Sequence, residues 1–189
     1  MEEKKIVYFR NKGRENTEKT LELAKERALE LGIKYIVVAS TSGETGKKAV
    51  EIFRGSGINV IVVTHQMGYK RENRIEIRED YRRFIEENAK LVIASDIFTT
   101  VPKIISKYGG FMPLNIIADT LRLFCQGMKV CVEISVMAAD AGAIPTDEEV
   151  IAIAGTAEGA DTAIVLKPAN IHRFFDIDIR EIICMPREK

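Results

Sequence analysis

Two rhythms of apolar and polar positions take turns along this chain. Short β-branched runs at 5–9 (KIVYF), 35–40 (YIVVAS), 59–64 (NVIVVT) and 91–95 (LVIAS) read as buried strands. Between them the apolar residues fall at helical spacing. Leu21, Ala24, Ala28 and Leu31 make 16–32 a helix, with Asn16 or Thr17 at its start and Gly32 suited to its C′ position. Residues 45–57 and 78–89 read as two further helices, and 101–109 as a short one with Pro102 in its first turn. Residues 113–126 and 128–142 read as helices meeting near Gly127. They lack the polar face of a surface helix, so the second is expected to be well buried. Strand candidates at 150–155, 162–168 and 179–186 close the chain.

Apolar strands alternating with helices are the pattern of a mainly parallel sheet covered on both faces. The closing strands stand too close together for helical crossovers, so one of them is expected to run antiparallel, at an edge. The fold class predicted is α/β, a three-layer α/β/α arrangement in one domain spanning 1–189.

Composition narrows the function classes. Lys plus Arg (28) balances Asp plus Glu (28), which argues against a general nucleic-acid or membrane-surface binder. No apolar run approaches the roughly 18 residues of a membrane span. The opening MEEKKIVYFR reads as neither a signal nor a transit peptide, so a cytoplasmic location is expected. Cys125, Cys131 and Cys184 sit in apolar contexts and read as buried small hydrophobes. His65 and His172 have no second ligand at metal spacing, and no metal is expected. The absence of Trp and the abundance of Glu, Lys, Arg and Ile are of the kind heat-adapted proteins show.

The candidate chemistry lies where the 35–40 strand gives way to a helix. Ser40, Thr41, Ser42, Gly43, Thr45 and Gly46 crowd this junction. In open α/β sheets ligands bind beyond the carboxyl ends of strands, and a helix N-terminus attracts anions through its unpaired N–H groups. The hydroxyls and glycines could form a phosphate cup. A second reading needs no ligand: Thr41-x-x-Glu44 has the spacing of a capping box. The spacing is not that of a Walker A loop, nor of G-x-G-x-x-G. Both readings stay open on spacing alone.

The stretch IVVASTSGETGKKAVEIFRGSGINVIVVT (36–64) resembles the C-terminal α/β domain of pyruvate kinase. In that family a Thr-x-Ser-Gly-x-Ser/Thr loop between strand and helix cradles a phosphate of an allosteric sugar bisphosphate. Ser42, Gly43 and Thr45 match it, Thr64 ends the next strand as expected, and Ser40 stands where the family has its first Thr. Glu44 replaces a position that is often basic there. The full length is similar to a small stand-alone archaeal family, pyruvate-kinase α/β-domain-like, whose members hold flavin mononucleotide (FMN) at this loop. The residues that bind metal and phosphoenolpyruvate in pyruvate kinase are not found, so that activity is not expected.

Other positions fall near the same cleft. Thr64, His65 and Gln66 end a strand and could touch the ribityl chain or ring of such a ligand, with Gly155 and Thr156 opposite. Asp96, Thr99 and Thr100 follow another strand, with Thr100 read as a helix cap. Lys167 is a lone cation in an apolar strand. Glu133 and Asp140 share a helical face as two acids against local preference, either a functional pair or a wet face.

The expectation is therefore a protein that binds a small-molecule phosphate ligand, FMN first, at loop 40–46, either as a flavin-dependent oxidoreductase or as a non-catalytic effector or sensor module for a sugar phosphate or nucleotide. No catalytic residue is assigned. Nucleic acid and membrane are not expected as partners, and a homo-oligomer is left open.

Overall fold

The computed structural model describes residues 3–109 and 112–188. One sheet is built from β1 (Val7–Phe9), β2 (Tyr35–Ala39), β3 (Asn59–His65), β4 (Lys90–Ala94), β5 (Val150–Ala154), β6 (Thr162–Lys167) and β7 (Asp178–Pro186), in the order β1-β7-β6-β5-β2-β3-β4. β2 lies between β5 and β3 and runs parallel to both, and β4 continues parallel to β3.

The pleat of β2 explains the three layers. Ile36 and Val38 point to one face, where α1 (Thr17–Leu31), α2 (Glu44–Phe53) and α3 (Glu79–Asn88) bring Leu21, Ala24, Ala49, Phe53 and Ile85. Val37 points to the other, against Met128, Cys131, Ile134 and Ala138 of α6 (Gln126–Asp140). Alternation along a strand sends successive side chains to opposite faces, so β-branched residues at consecutive positions fill both cores. α6 is covered a second time: Val132, on its outer side, packs with Phe98, Ala118 of α5 (Pro113–Arg122) and Phe174. That double cover buries most of α6, as its missing polar face led one to expect. A shorter helix, α4 (Thr100–Ile105), precedes α5.

The chain departs from expectation in three places. β6 is the antiparallel strand, but it is flanked by β5 and β7, not placed at the edge. The edge is taken by β1, which joins β7 in parallel from the other end of the chain. α5 and α6 part at 123–125, ahead of Gly127, which lies in the first turn of α6. A Cβ on Gly127 would come within 2.5 Å of Thr162 Cβ, so this glycine serves close helix–strand contact, not a break. α2 stops at Phe53, short of 57, because Arg54 leaves the helical region and Gly55 and Gly57 take positive φ.

The three cysteines are free and buried. Burial pushes their thiols up, Cys184 to about 12, as inert core residues require. Among the described residues no helix is long and apolar enough to cross a membrane, and no group of three His, Cys, Asp or Glu side chains is placed to hold a metal ion.

Candidate functional site

β2, β3, β4 and β5 all end at one edge of the sheet, and the residues beyond those ends border a cleft of about 650 Å³. Small-molecule pockets are typically about 300–1,000 Å³.

The β2–α2 junction forms one wall. Ser40 N donates to Val63 O at 2.9 Å, extending the strand ladder by one step. Its hydroxyl accepts from Gly46 N at 3.0 Å and so closes the first turn of α2. The Thr41–Glu44 capping box does not form. Gly43 occupies the N-cap position with φ +95°, which places Thr41 too early to cap. Glu44 pairs instead with the Arg14 guanidinium at the cleft wall. Thr41, Ser42, Glu44 and Thr45 border the cleft, where the opening turn of α2 has N–H groups without helical acceptors.

Gly43 and Gly46 do not line the cleft. A Cβ on Gly43 would lie 2.7 Å from Tyr81 Cβ and 2.8 Å from Ile77 Cγ1. One on Gly46 would lie 2.7 Å from Val62 Cγ1. Both glycines allow α2 to approach its own neighbours, rather than a ligand to approach the backbone.

Arg14, Lys48, Lys70 and Arg78 also border the cleft. Each has an acidic neighbour: Glu44 for Arg14, Glu18 at 3.1 Å for Lys48, Glu76 at 3.6 Å for Lys70 and Asp80 at 2.8 Å for Arg78. Exposed pairs of this kind are weak and exchange partners readily.

β3 ends in Thr64 and His65, both facing the cleft. Thr64 Oγ1 donates to Thr41 O at 3.4 Å. The His65 ring stacks on Tyr69 with centroids 3.8 Å apart. Gln66 is not on the cleft wall; its Nε2 donates to Thr100 Oγ1 at 3.0 Å. Asp96, not Thr100, caps α4: its Oδ1 accepts from Thr99 N at 3.1 Å and Thr100 N at 2.6 Å. Burial raises the Asp96 carboxyl, but His65, the Thr100 N–H and the Lys129 charge outweigh it and hold the group below its usual range.

Glu133 and Asp140 are not a pair. Glu133 faces the cleft and is paired with Lys129 at 2.5 Å, one helical turn before it, while its Oε1 accepts from Phe98 N at 2.9 Å. Burial nonetheless pushes the Glu133 carboxyl up. Asp140 is exposed at the far end of α6 and accepts from Asn170 Nδ2 and Ile171 N. Lys167 is likewise remote, because β6 runs against its neighbours and carries its last residue to the opposite edge of the sheet.

Gly155 borders the cleft and Thr156 does not. A Cβ on Gly155 would lie 2.5 Å from Gly159 O, so the loop after β5 folds tightly on itself. Thr156 N donates to Asp161 Oδ2 at 3.2 Å. The structure thus brings Ser40, Thr41, Ser42, Thr45, Thr64, His65 and Gly155 to one cleft and sets Gly43, Gly46, Gln66 and Thr156 behind it.

Among the wall residues that had no place in the expectations are Arg14, Lys48, Tyr69, Arg78 and Lys129. Lys129 was legible as the i, i+4 partner that a buried Glu133 requires. Arg14 carries no local signal, since it reaches the cleft from a 3-10 turn at Arg14–Asn16 ahead of α1.

The wall built by the β2–α2–β3 unit lies wholly within residues 18–166, which match the family model described as pyruvate kinase, alpha/beta domain; the chain belongs to that family.

Proposed function

We propose that this protein binds a small-molecule phosphate ester, its phosphate at the opening of α2, with FMN as the first candidate. The observation that supports this reading is the state of the junction. Thr41, Ser42 and Thr45 face the cleft, the Glu44 carboxylate on the same wall is paired with Arg14, and the cations Lys48 and Arg78 stand around the same opening. A phosphate there would meet backbone N–H groups, hydroxyls and positive charge together.

The residues present fit FMN. The cleft is of nucleotide size, hydroxyls lie at one end, and the stacked His65–Tyr69 pair lies beyond them. Thr41, Ser42 and Thr45 would hold the phosphate, and Thr64 and His65 the ribityl and ring portions. When bound, the flavin supplies hydride and electron transfer; this chain's residues orient it and limit water.

Calorimetric titration of the purified protein with FMN tests the reading. Micromolar or tighter binding is expected, and Thr45→Ala is expected to weaken it by about 1–2 kcal/mol for a lost hydrogen bond to a charged group. Unchanged affinity in Thr45→Ala, or no binding of any phosphate ester, refutes the site. Anaerobic NADH addition separates the two classes of function: bleaching marks an oxidoreductase, and a flavin reduced by dithionite but not by NADH points to a binding module.

A further inference from the structure

The cleft continues past the ends of β3 and β4 to a second group of polar side chains. Asp96 is 3 % exposed there. Its Oδ1 caps α4, but its Oδ2 accepts no hydrogen bond from the described residues. His65 Nδ1 stands 3.4 Å from this oxygen without the alignment of a hydrogen bond. A buried carboxylate oxygen without a donor is costly, and an ionised carboxylate can only accept. The cation beside it is engaged: Lys129 Nζ holds Glu133 Oε2 at 2.5 Å and Thr99 Oγ1 at 3.0 Å. Next to Asp96 the His65 and Tyr69 rings lie parallel, within 2°.

We propose that this is a ring subsite: the ligand is a phosphate monoester whose far end is a flat heterocycle that presents an N–H donor to Asp96 Oδ2. The inference rests on the phosphate reading above and narrows its ligand class. The spacing agrees. β4 stands two strands from β2, about 10 Å, a span that a ring-bearing ester can bridge and inorganic phosphate cannot. The charge agrees too. A second phosphate at this end would face the Asp96 carboxylate, with Glu133 beside it, so sugar bisphosphates are disfavoured although their length would suit. The stacked His65–Tyr69 pair offers an outer aromatic face on which a ring, and not a sugar chain, gains contact.

Titration calorimetry on the full chain tests this with FMN, 3-methyl-FMN (which lacks the ring N–H), GMP, ribose 5-phosphate and fructose 1,6-bisphosphate. FMN or GMP is expected to bind about tenfold or more tightly than ribose 5-phosphate, the gain of a hydrogen bond to a charged group, and 3-methyl-FMN is expected to lose FMN's gain. Asp96→Asn keeps the Oδ1 cap on α4 and turns the other atom into a donor. It should remove the difference in affinity between FMN and 3-methyl-FMN. Should Asp96→Asn fail to fold, the FMN and 3-methyl-FMN comparison on the unaltered chain decides alone. Equal binding of FMN and 3-methyl-FMN, a difference between the two that survives Asp96→Asn, or tighter binding of fructose 1,6-bisphosphate than of ribose 5-phosphate overturns the subsite. Ribose 5-phosphate binding that depends on Thr45, with no gain from any ring, overturns the subsite and leaves the phosphate reading standing. Failure of every phosphate ester to bind removes both.

Discussion

At the scale of single residues, the glycines of the β2–α2 junction show how one residue type can be read for the wrong reason. Gly43 and Gly46 drew notice as a ligand-facing pair, and both prove to be packing positions. Gly43 combines φ +95° with side chains of α3 and its approach within 3 Å of where a Cβ would sit. Gly43→Ala should therefore lower stability by about 1–3 kcal/mol through strain and overpacking, read as a shift in the urea midpoint. Gly46→Ala should cost a similar amount through overpacking alone, against Val62 and Ile85. Gly55→Ala is the control: φ is +75° but nothing lies within 4 Å, so only the backbone cost of about 1–2 kcal/mol applies. Equal midpoints for the Gly43 and Gly55 variants would contradict the packing account. The Lys129–Glu133 pair makes the complementary point. Both side chains are almost wholly buried, so Lys129→Met leaves an uncompensated carboxylate and should cost about 3–5 kcal/mol. Adding Glu133→Leu should recover much of that loss in the same denaturation assay. A double variant no more stable than Lys129→Met would show that the pair's hydrogen bonds to Phe98 and Thr99, and not its charges, dominate.

At the scale of elements, the parallel half of the fold was nearly all legible. β2, β3, β4 and β5 are short apolar runs rich in Ile and Val, and α2 and α3 between the first three carry one apolar stripe each. Elements were misjudged where a partner distant in sequence decides. The break before α6 is set by how its first turn meets Thr162, and the inner position of β6 by a strand from the opposite end of the chain. Asp161 is the plainest instance. It is fully buried, and its Oδ2 accepts from Thr156 N at 3.2 Å and from Gly13 N at 2.9 Å, 148 positions away. Nothing local could have announced that partner. The carboxylate ties the turn that carries Arg14 to the loop that follows β5, and so joins two walls of the cleft. Asp161→Ala should strand two backbone donors, destabilise by about 2–4 kcal/mol, and speed amide exchange at Gly13 and Thr156 well beyond the change in core strands. Uniform acceleration across the sheet would instead mean that the clamp belongs to global stability and not to the cleft wall.

At the scale of the whole molecule, the chain ends meet. β1 pairs in parallel with β7, Val7 opposite Cys184, and both strands lie outside the 18–166 family match. β7 is fixed to the family core by a fork. Arg27 of α1 donates through Nε to Glu181 Oε2 at 2.8 Å and through Nη2 to Oε1 at 2.6 Å. Paired hydrogen bonds of this geometry are among the stronger charged contacts, and Arg27 is largely shielded from solvent. Hydrogen bonding to Arg27 is the leading cause that holds the Glu181 carboxyl below its ordinary 4.5, against a smaller opposing effect of burial. The sign of the pH dependence follows. A carboxyl whose folded-state pKa is depressed contributes stability above its unfolded value, and that contribution disappears as pH falls through the folded-state value. Glu181→Gln should therefore cost about 1–2 kcal/mol near neutrality, and the gap between the two proteins should close as the solution is acidified below 4.5. Urea midpoints measured at intervals from pH 7 to the acid limit of folding give both curves. A constant gap at all pH values would mean that the fork holds β7 by shape and hydrogen-bond count alone, with no contribution from its charge. A gap that widens in acid would reverse the linkage and require the Glu181 carboxyl to be protonated more readily in the folded chain than in the unfolded one.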